Sequence, residues 1–147
     1  MVLDVQESLL TYIYNNLLTT NEDLKAAMGG TVRLELTRAK PDTEFPYLVH
    51  RIDILREPGT HVIQAAVYYL DIWSDSPSAF DEITPIRKIL IELLDELIFS
   101  TDEVADVSIE KISDGFIPEM EQGIWHYATM WELTFRRDAE AVAIEAR

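Results

Sequence analysis

Serines and aspartates crowd one corner of this sequence, Ser74-Asp75-Ser76-Pro77-Ser78 with Asp81 just beyond. Such a corner could present a nucleophilic hydroxyl or a cation site. A nucleophilic serine needs a base within reach, and neither a nearby histidine nor the glycine elbow of hydrolases is present. A helix start uses the same residues differently. Ser76 before Pro77 has the form of an N-cap followed by proline at the first helical position. Ser78 with Asp81 offers a second capping register, and Asp75, Asp81 and Glu82 all complement the positive end of a helix. The corner reads as punctuation between a strand and a helix.

The remaining candidates for chemistry are thinner. His50, His61 and His126 fall in predicted strands without metal-ligand spacing, although His50 and His61 flank one hairpin and could clip a metal across it. Strand histidines facing solvent or satisfied in place are the simpler expectation. Asp114 with Glu119 and Glu121, or Asp102 with Glu103 and Asp106, could attract a cation. Both sets lack the glycine and ligand spacing of a calcium loop, so solvated acidic surface is expected. Gly29-Gly30 is followed by no lysine or GxGxxG pattern and is no phosphate loop. The expectation is a protein without catalysis, cofactor or metal.

Composition agrees with an ordinary folded chain. The 147 residues fit one domain, 48% of them hydrophobic and 27% charged. The absence of cysteine excludes disulfides and thiolate chemistry. The opening MVLDVQESLL lacks a basic stretch and is not expected to be a signal peptide, and no apolar run nears the ~20 residues that span a bilayer. Net charge is −15, and basic residues never occur more than two in a row. Such a surface repels nucleic acid and anionic membranes; DNA could pass near it without being held.

Periodicity supplies the elements. Asp4 to Glu7 resembles a capping box, and Val5, Leu9, Ile13 and Leu17 then fall on one stripe, predicting a helix over 5–18. A short helical piece over 21–28 should end at Gly29-Gly30. TVRLEL alternates as a half-buried strand, and RAKPDTEFP (38–46) reads as an exposed loop. Segments 47–56 and 61–73 form a long predicted hairpin about the turn 57–60. Segment 79–98 is an amphipathic helix containing Pro85, 101–106 an acidic linker, and 107–113 and 124–137 two further strands separated by a loop. This order predicts an α+β fold: an antiparallel sheet with a long β-hairpin and two main helices packed on one face. Residues 1–137 form one predicted domain, and 138–147 a C-terminal extension, frayed helix or tail.

One feature is in surplus. In 61–73 one face carries Val62, Ala66, Tyr68, Leu70 and Ile72, and the other Ile63, Ala65, Val67, Tyr69 and Trp73. Helices on one side leave the second face wanting cover. Loops and the C-terminal tail could supply it; neighbouring subunits are the favoured expectation, since aromatic surface marks interfaces. The candidate contacts are Arg38, Lys40, Asp42 and Glu44 in the loop, Glu57, Pro58, Gly59 and Thr60 in the hairpin turn, and Tyr69 and Trp73 on the strand.

The order of these elements, with Phe45-Pro46-Tyr47 leading into the hairpin, "DIWSDSPSAFDEI" opening the Ile/Leu-rich helix and "WHYATMWELTFR" closing the domain, resembles the tail-completion (tail-terminator) proteins of long-tailed bacteriophages and prophages. It covers about 5–137; the extension after Arg137 departs from the pattern. The resemblance implies a non-enzymatic ring, typically a hexamer, at the head-proximal end of the virion tail, assembled in the host cytoplasm. Its partners would be further copies of itself, the tail tube protein and the head completion or connector protein, with DNA passing through the central hole. Another neck ring, a connector or stopper, and the tube subunit are alternatives. So is a small ligand-binding or enzymatic domain with an aromatic pocket around Trp73, Trp125 and Trp131.

Overall fold

Alternation in the long apolar segments sets the sheet, and the computed structural model describes residues 2–55, 63–119 and 121–137. Six strands lie in the order β1-β2-β3-β6-β5-β4: β1 Leu34–Leu36, β2 Tyr47–Ile54, β3 Ile63–Ser74, β4 Ile98–Phe99, β5 Val104–Ile117 and β6 Trp125–Arg137. The fold is α+β, as expected. The sheet is antiparallel except at one edge, where β1 runs parallel to β2. The loop 37–46 lets the chain return to the start of β2 without reversing, which a tight hairpin could not do.

Three helical stretches cover one face: α1 Val2–Tyr12, continued by a π-helical turn Ile13–Leu18, α2 Glu22–Ala27 and α3 Ala79–Leu94. The helix begins at Val2, so Asp4 lies inside its first turn instead of capping it. The predicted stripe through Leu17 is displaced by one residue. Thr19 N–H donates to the Tyr14 carbonyl at 3.1 Å, an i to i−5 bond, and the wider turn brings Leu18 into the core beneath Ile13. Asn21 caps α2, its side chain accepting from Leu24 N–H at 2.9 Å. Gly30 closes α2 with a left-handed φ of 112° and a 2.7 Å bond from its N–H to the Lys25 carbonyl.

Between helices and sheet lies a single core. On β3 it takes Ala66, Tyr68, Leu70 and Ile72, and on β6 Trp131, Leu133 and Phe135. Ile83, Ile86, Leu90 and Leu94 of α3 and Val5, Leu9 and Ile13 of the first helix pack onto them. The sequence reading missed β4, and it began β5 too late and ended it too early, since β5 extends from Val104 to Ile117. Acids at Asp102 and Glu103 mask its start. Two register irregularities, between Ala105 and Ser108 and between Lys111 and Ser113, break its alternation. The turn 57–60 and the extension 138–147 lie outside the described residues.

Candidate functional site

The corner after β3 is structural, by a route other than the predicted caps. The helix α3 starts at Ala79, with Ser78 in the N-cap position but making no side-chain capping bond, and Pro77 outside the helix. At φ −109° and ψ 51° Ser78 is out of the extended conformation that aims an N-cap hydroxyl at the first turn. Serine hydroxyls instead tie the loop together. Ser74 Oγ, fully buried, donates to Glu82 Oε1 at 2.7 Å and accepts from Ser76 N–H at 3.2 Å, while Ser76 Oγ accepts from Ser78 N–H at 3.1 Å. Ser74→Ala is therefore expected to cost ~1–2 kcal/mol in urea unfolding, and Ser78→Ala only a few tenths. Equal costs would mean the buried hydroxyl carries nothing.

The two described histidines each have a local role. His50 is buried and its Nδ1 lies 2.7 Å from the Tyr68 hydroxyl; burial pushes its pKa down to about 4. A metal clip with His61 cannot be placed, since His61 lies outside the described residues. His126 bridges two carboxylates, Nε2 to Asp71 at 2.7 Å and Nδ1 to Glu119 at 2.8 Å. A neutral imidazole has one N–H, so two carboxylate partners call for the doubly protonated ring. Burial works against that charge, but the bonds to Asp71 and Glu119 outweigh it and hold the pKa above its ordinary value.

The expected acidic groupings separate. Asp114 sits under α3, where Arg87 Nε, Lys111 Nζ and the Tyr127 hydroxyl all donate to its carboxylate, the last two at 2.7 and 2.6 Å. Burial alone would raise its pKa; these donors hold it well below the usual carboxylate range. Glu119 meanwhile belongs to His126. Asp106 pairs with Arg136 at 2.7 Å. Among the described residues no three His, Asp or Glu side chains are grouped to hold a metal ion. Nor do the tryptophans share a pocket. Trp131 is wholly buried on the helix side, Trp125 is 48% exposed, and Trp73 lies on the opposite face.

What remains is that opposite face. Its β3 residues Ala65, Val67, Tyr69, Asp71 and Trp73 are half-buried, and none of the described helices lies over them. An aromatic row crosses three strands at one end. Tyr47 lies nearly parallel to Trp73 at 6.1 Å between ring centres, Trp73 stacks on His126 at 3.9 Å, and Phe45 tilts against Tyr47 at 4.9 Å. The loop 37–46 folds beside this row, and between them opens a groove of 490 Å³ bounded by Arg38, Lys40, Tyr47, Trp73, Glu121 and Ile124. A second groove of 290 Å³ lies further along, over Tyr69, Gly115, Ile117 and Met130.

Of the candidate contacts, the structure brings Arg38, Lys40 and Trp73 together in the first groove. Asp42 and Glu44 are exposed on the same loop. Tyr69 borders the second groove, its ring covered by the Arg51 guanidinium at 3.8 Å. Glu57, Pro58, Gly59 and Thr60 lie outside the described residues. Sequence reasoning missed Tyr47, His126 and Asp71, which complete the row. Their adjacency depends on pairing across β2, β3 and β6, and only the strand alternation hinted at it. A larger groove, 680 Å³, lies on the helix side between α1 and residues 100–103, lined by polar groups such as Glu7, Asn15 and Glu103. On its wall the Ser8 and Thr101 hydroxyls are hydrogen-bonded to each other at 2.6 Å.

No protein-family profile matches this chain, and no curated protein matches it. Among solved structures, the fold is similar to a chain of the virion of a native gene transfer agent particle. The TM-score is 0.63 at 11% identity, over 80% of this chain and 87% of that one. At that identity the likeness is one of fold.

Proposed function

We propose that this chain is a structural subunit of a tailed, phage-like virion, and that it acts without catalysis. The observation that carries the reading is the sheet face opposite the helices, aromatic and grooved, in a fold shared with a chain of a virion particle. In the finer reading the subunit is a tail-completion protein. Copies close into a ring, a hexamer in the family it resembles, at the head-proximal end of the tail tube. The ring ends tube growth and provides the surface that receives the head completion or connector protein. DNA passes through its centre, unheld by a chain of net charge −15. Membranes have no part in this role; no described helix is long and apolar enough to cross one.

The test is to add purified protein to the matching tail tube protein while the tube polymerises. Tubes are expected to stop lengthening and to carry a ring at one end when imaged by negative stain. Rings incorporated along the whole tube would favour a tube subunit, and rings that bind the head connector but ignore the tube would favour a connector or stopper. Unchanged tubes together with saturable uptake of a small molecule would favour a ligand-binding domain.

A further inference from the structure

The two edges of the sheet are open at the same height. Among the described residues strand β1 has a partner on one side only, and its Leu34, Glu35 and Leu36 stand opposite Leu48, Val49 and His50 of β2. Followed across β3 and β6, these rows end on β5. Leu48, Ile72, Tyr127 and Phe116 are in line; so are Val49, Asp71, Ala128 and Gly115, and likewise His50, Leu70, Thr129 and Asp114. On its outer side β5 is paired with β4 only at Val107 and Ser108. The segment 95–97 extends that cover to Ile109, by the Glu96 and Leu97 backbone, and to Lys111 N–H, by the Asp95 carboxylate. Among the described residues no strand lies beside Ile112 to Ile117.

Three things about these edges are complementary. They are level. They run in opposite directions, because β1 is parallel to β2 and three antiparallel pairings separate β2 from β5. Both expose apolar side chains, with a single acid in each stretch, Glu35 and Asp114: Leu36 is 58% exposed, and Ile112, Phe116 and Ile117 are 50%, 43% and 44% exposed. Edges offset along the strand direction would step each added copy upward and build a filament; level edges permit a closed ring.

We infer that β1 of one copy adds antiparallel to the 112–117 edge of β5 in the next, so that the sheets of neighbouring subunits run on into one another. The contact is head-to-tail, and it rests on the ring reading above only for its closure. Glu35 and Gly115 lie in the same row and both belong to the face without helices. Gly115 has no positive φ, and a Cβ there would meet no atom within 4 Å, so a side chain is accommodated.

Because the chain has no cysteine, introduced thiols report this contact alone. Glu35→Cys combined with Gly115→Cys is expected, under mild oxidation across a concentration series, to give a ladder of covalent oligomers ending at the ring. Mixing the two single variants should give dimers and nothing larger, and each single variant alone should stay monomeric. Ser113→Cys and Ile117→Cys, on the same face of β5, cover a slip of two residues. If none of the three pairs cross-links while the wild-type protein still caps tubes with a ring, the edge pairing is wrong and the ring stands. If the ladder forms but tubes are not capped, the pairing holds and the terminator reading fails. Strong dimers from either single variant would mean edge-to-like-edge contact and overturn the head-to-tail inference. Hydrogen exchange on the unaltered protein gives an independent measure. Amides of 34–36 and 113–117 should slow as concentration rises, and unchanged exchange in an assembled sample would exclude the contact.

Discussion

Trp131→Ala should destabilise the fold by about 3–5 kcal/mol, a large part of the stability of a domain this size. Trp131 is fully buried on β6, opposite Tyr68, at the centre of the face that the helices cover. Its removal leaves a cavity bounded by two strands whose positions are fixed by their ladders, so the site cannot collapse to fill it. A polar loss adds to the cavity. The indole Nε1 donates at 2.8 Å to Thr129 Oγ1, which in turn donates to the Leu70 carbonyl. Urea unfolding followed by far-UV circular dichroism measures the cost. Trp131→Phe separates the contributions, since it keeps most of the volume and should cost about half as much. A loss below about 1 kcal/mol for the alanine variant would show that the core repacks and that Trp131 is not its centre.

Stability should peak near pH 6.5 and fall on either side, for opposite reasons. His50 is held neutral, its pKa lowered from 6.5 to about 4 by burial. Between those values the unfolded chain binds the proton more readily than the folded one. Stability is therefore lost as pH falls from about 6.5 towards 4, by about 3 kcal/mol in all. His126 works the other way. Despite burial, its bonds to Asp71 and Glu119 raise its pKa, so its contribution is complete below 6.5 and disappears as pH climbs through the raised value. Asp114, with its pKa depressed by Lys111, Tyr127 and Arg87 against the opposing effect of burial, adds a further loss only below the ordinary carboxylate range. Urea midpoints across pH 4–9 test the two histidines, and carrying the series below pH 4 reaches Asp114. His50→Gln should flatten the acidic limb while leaving the alkaline limb in place, and His126→Gln should do the reverse. An acidic limb that survives His50→Gln would place its origin elsewhere.

The strands were legible in the sequence because alternation is a property of neighbours. Tyr68, Leu70 and Ile72 face the helices and Tyr69, Asp71 and Trp73 face away, as a period of two requires. The amphipathic pattern of α3 was equally plain, and Pro85 sits inside it without ending it. What failed to show depends on residues distant along the chain. Arg87 and Asp114 are 27 positions apart and Arg87 and Tyr127 are 40, yet they meet under α3. His126 finds Asp71 across 55 positions. β4 went unseen because Ile98-Phe99 continues the Ile/Leu rhythm of the preceding helix, and two residues are too few to establish a rhythm of their own. Of the site itself, the apolar residues facing away from the described helices were readable and the aromatic row was not.

The π turn at 13–18 bears on how this fold varies among chains that share it. A π turn is an α-helix lengthened by one residue without lengthening its bonded framework. Here the additional residue is what carries Leu18, not Leu17, to the buried side. A descendant lacking one residue between Ile13 and Leu18 could wind the same stretch as plain α-helix and present the same leucine to the same neighbours. Single-residue length differences should therefore accumulate at this point in preference to other helical positions. Alignments that forbid a gap inside a helix would then slip by one residue beyond it, pairing exposed positions with buried ones and hiding kinship that the fold preserves.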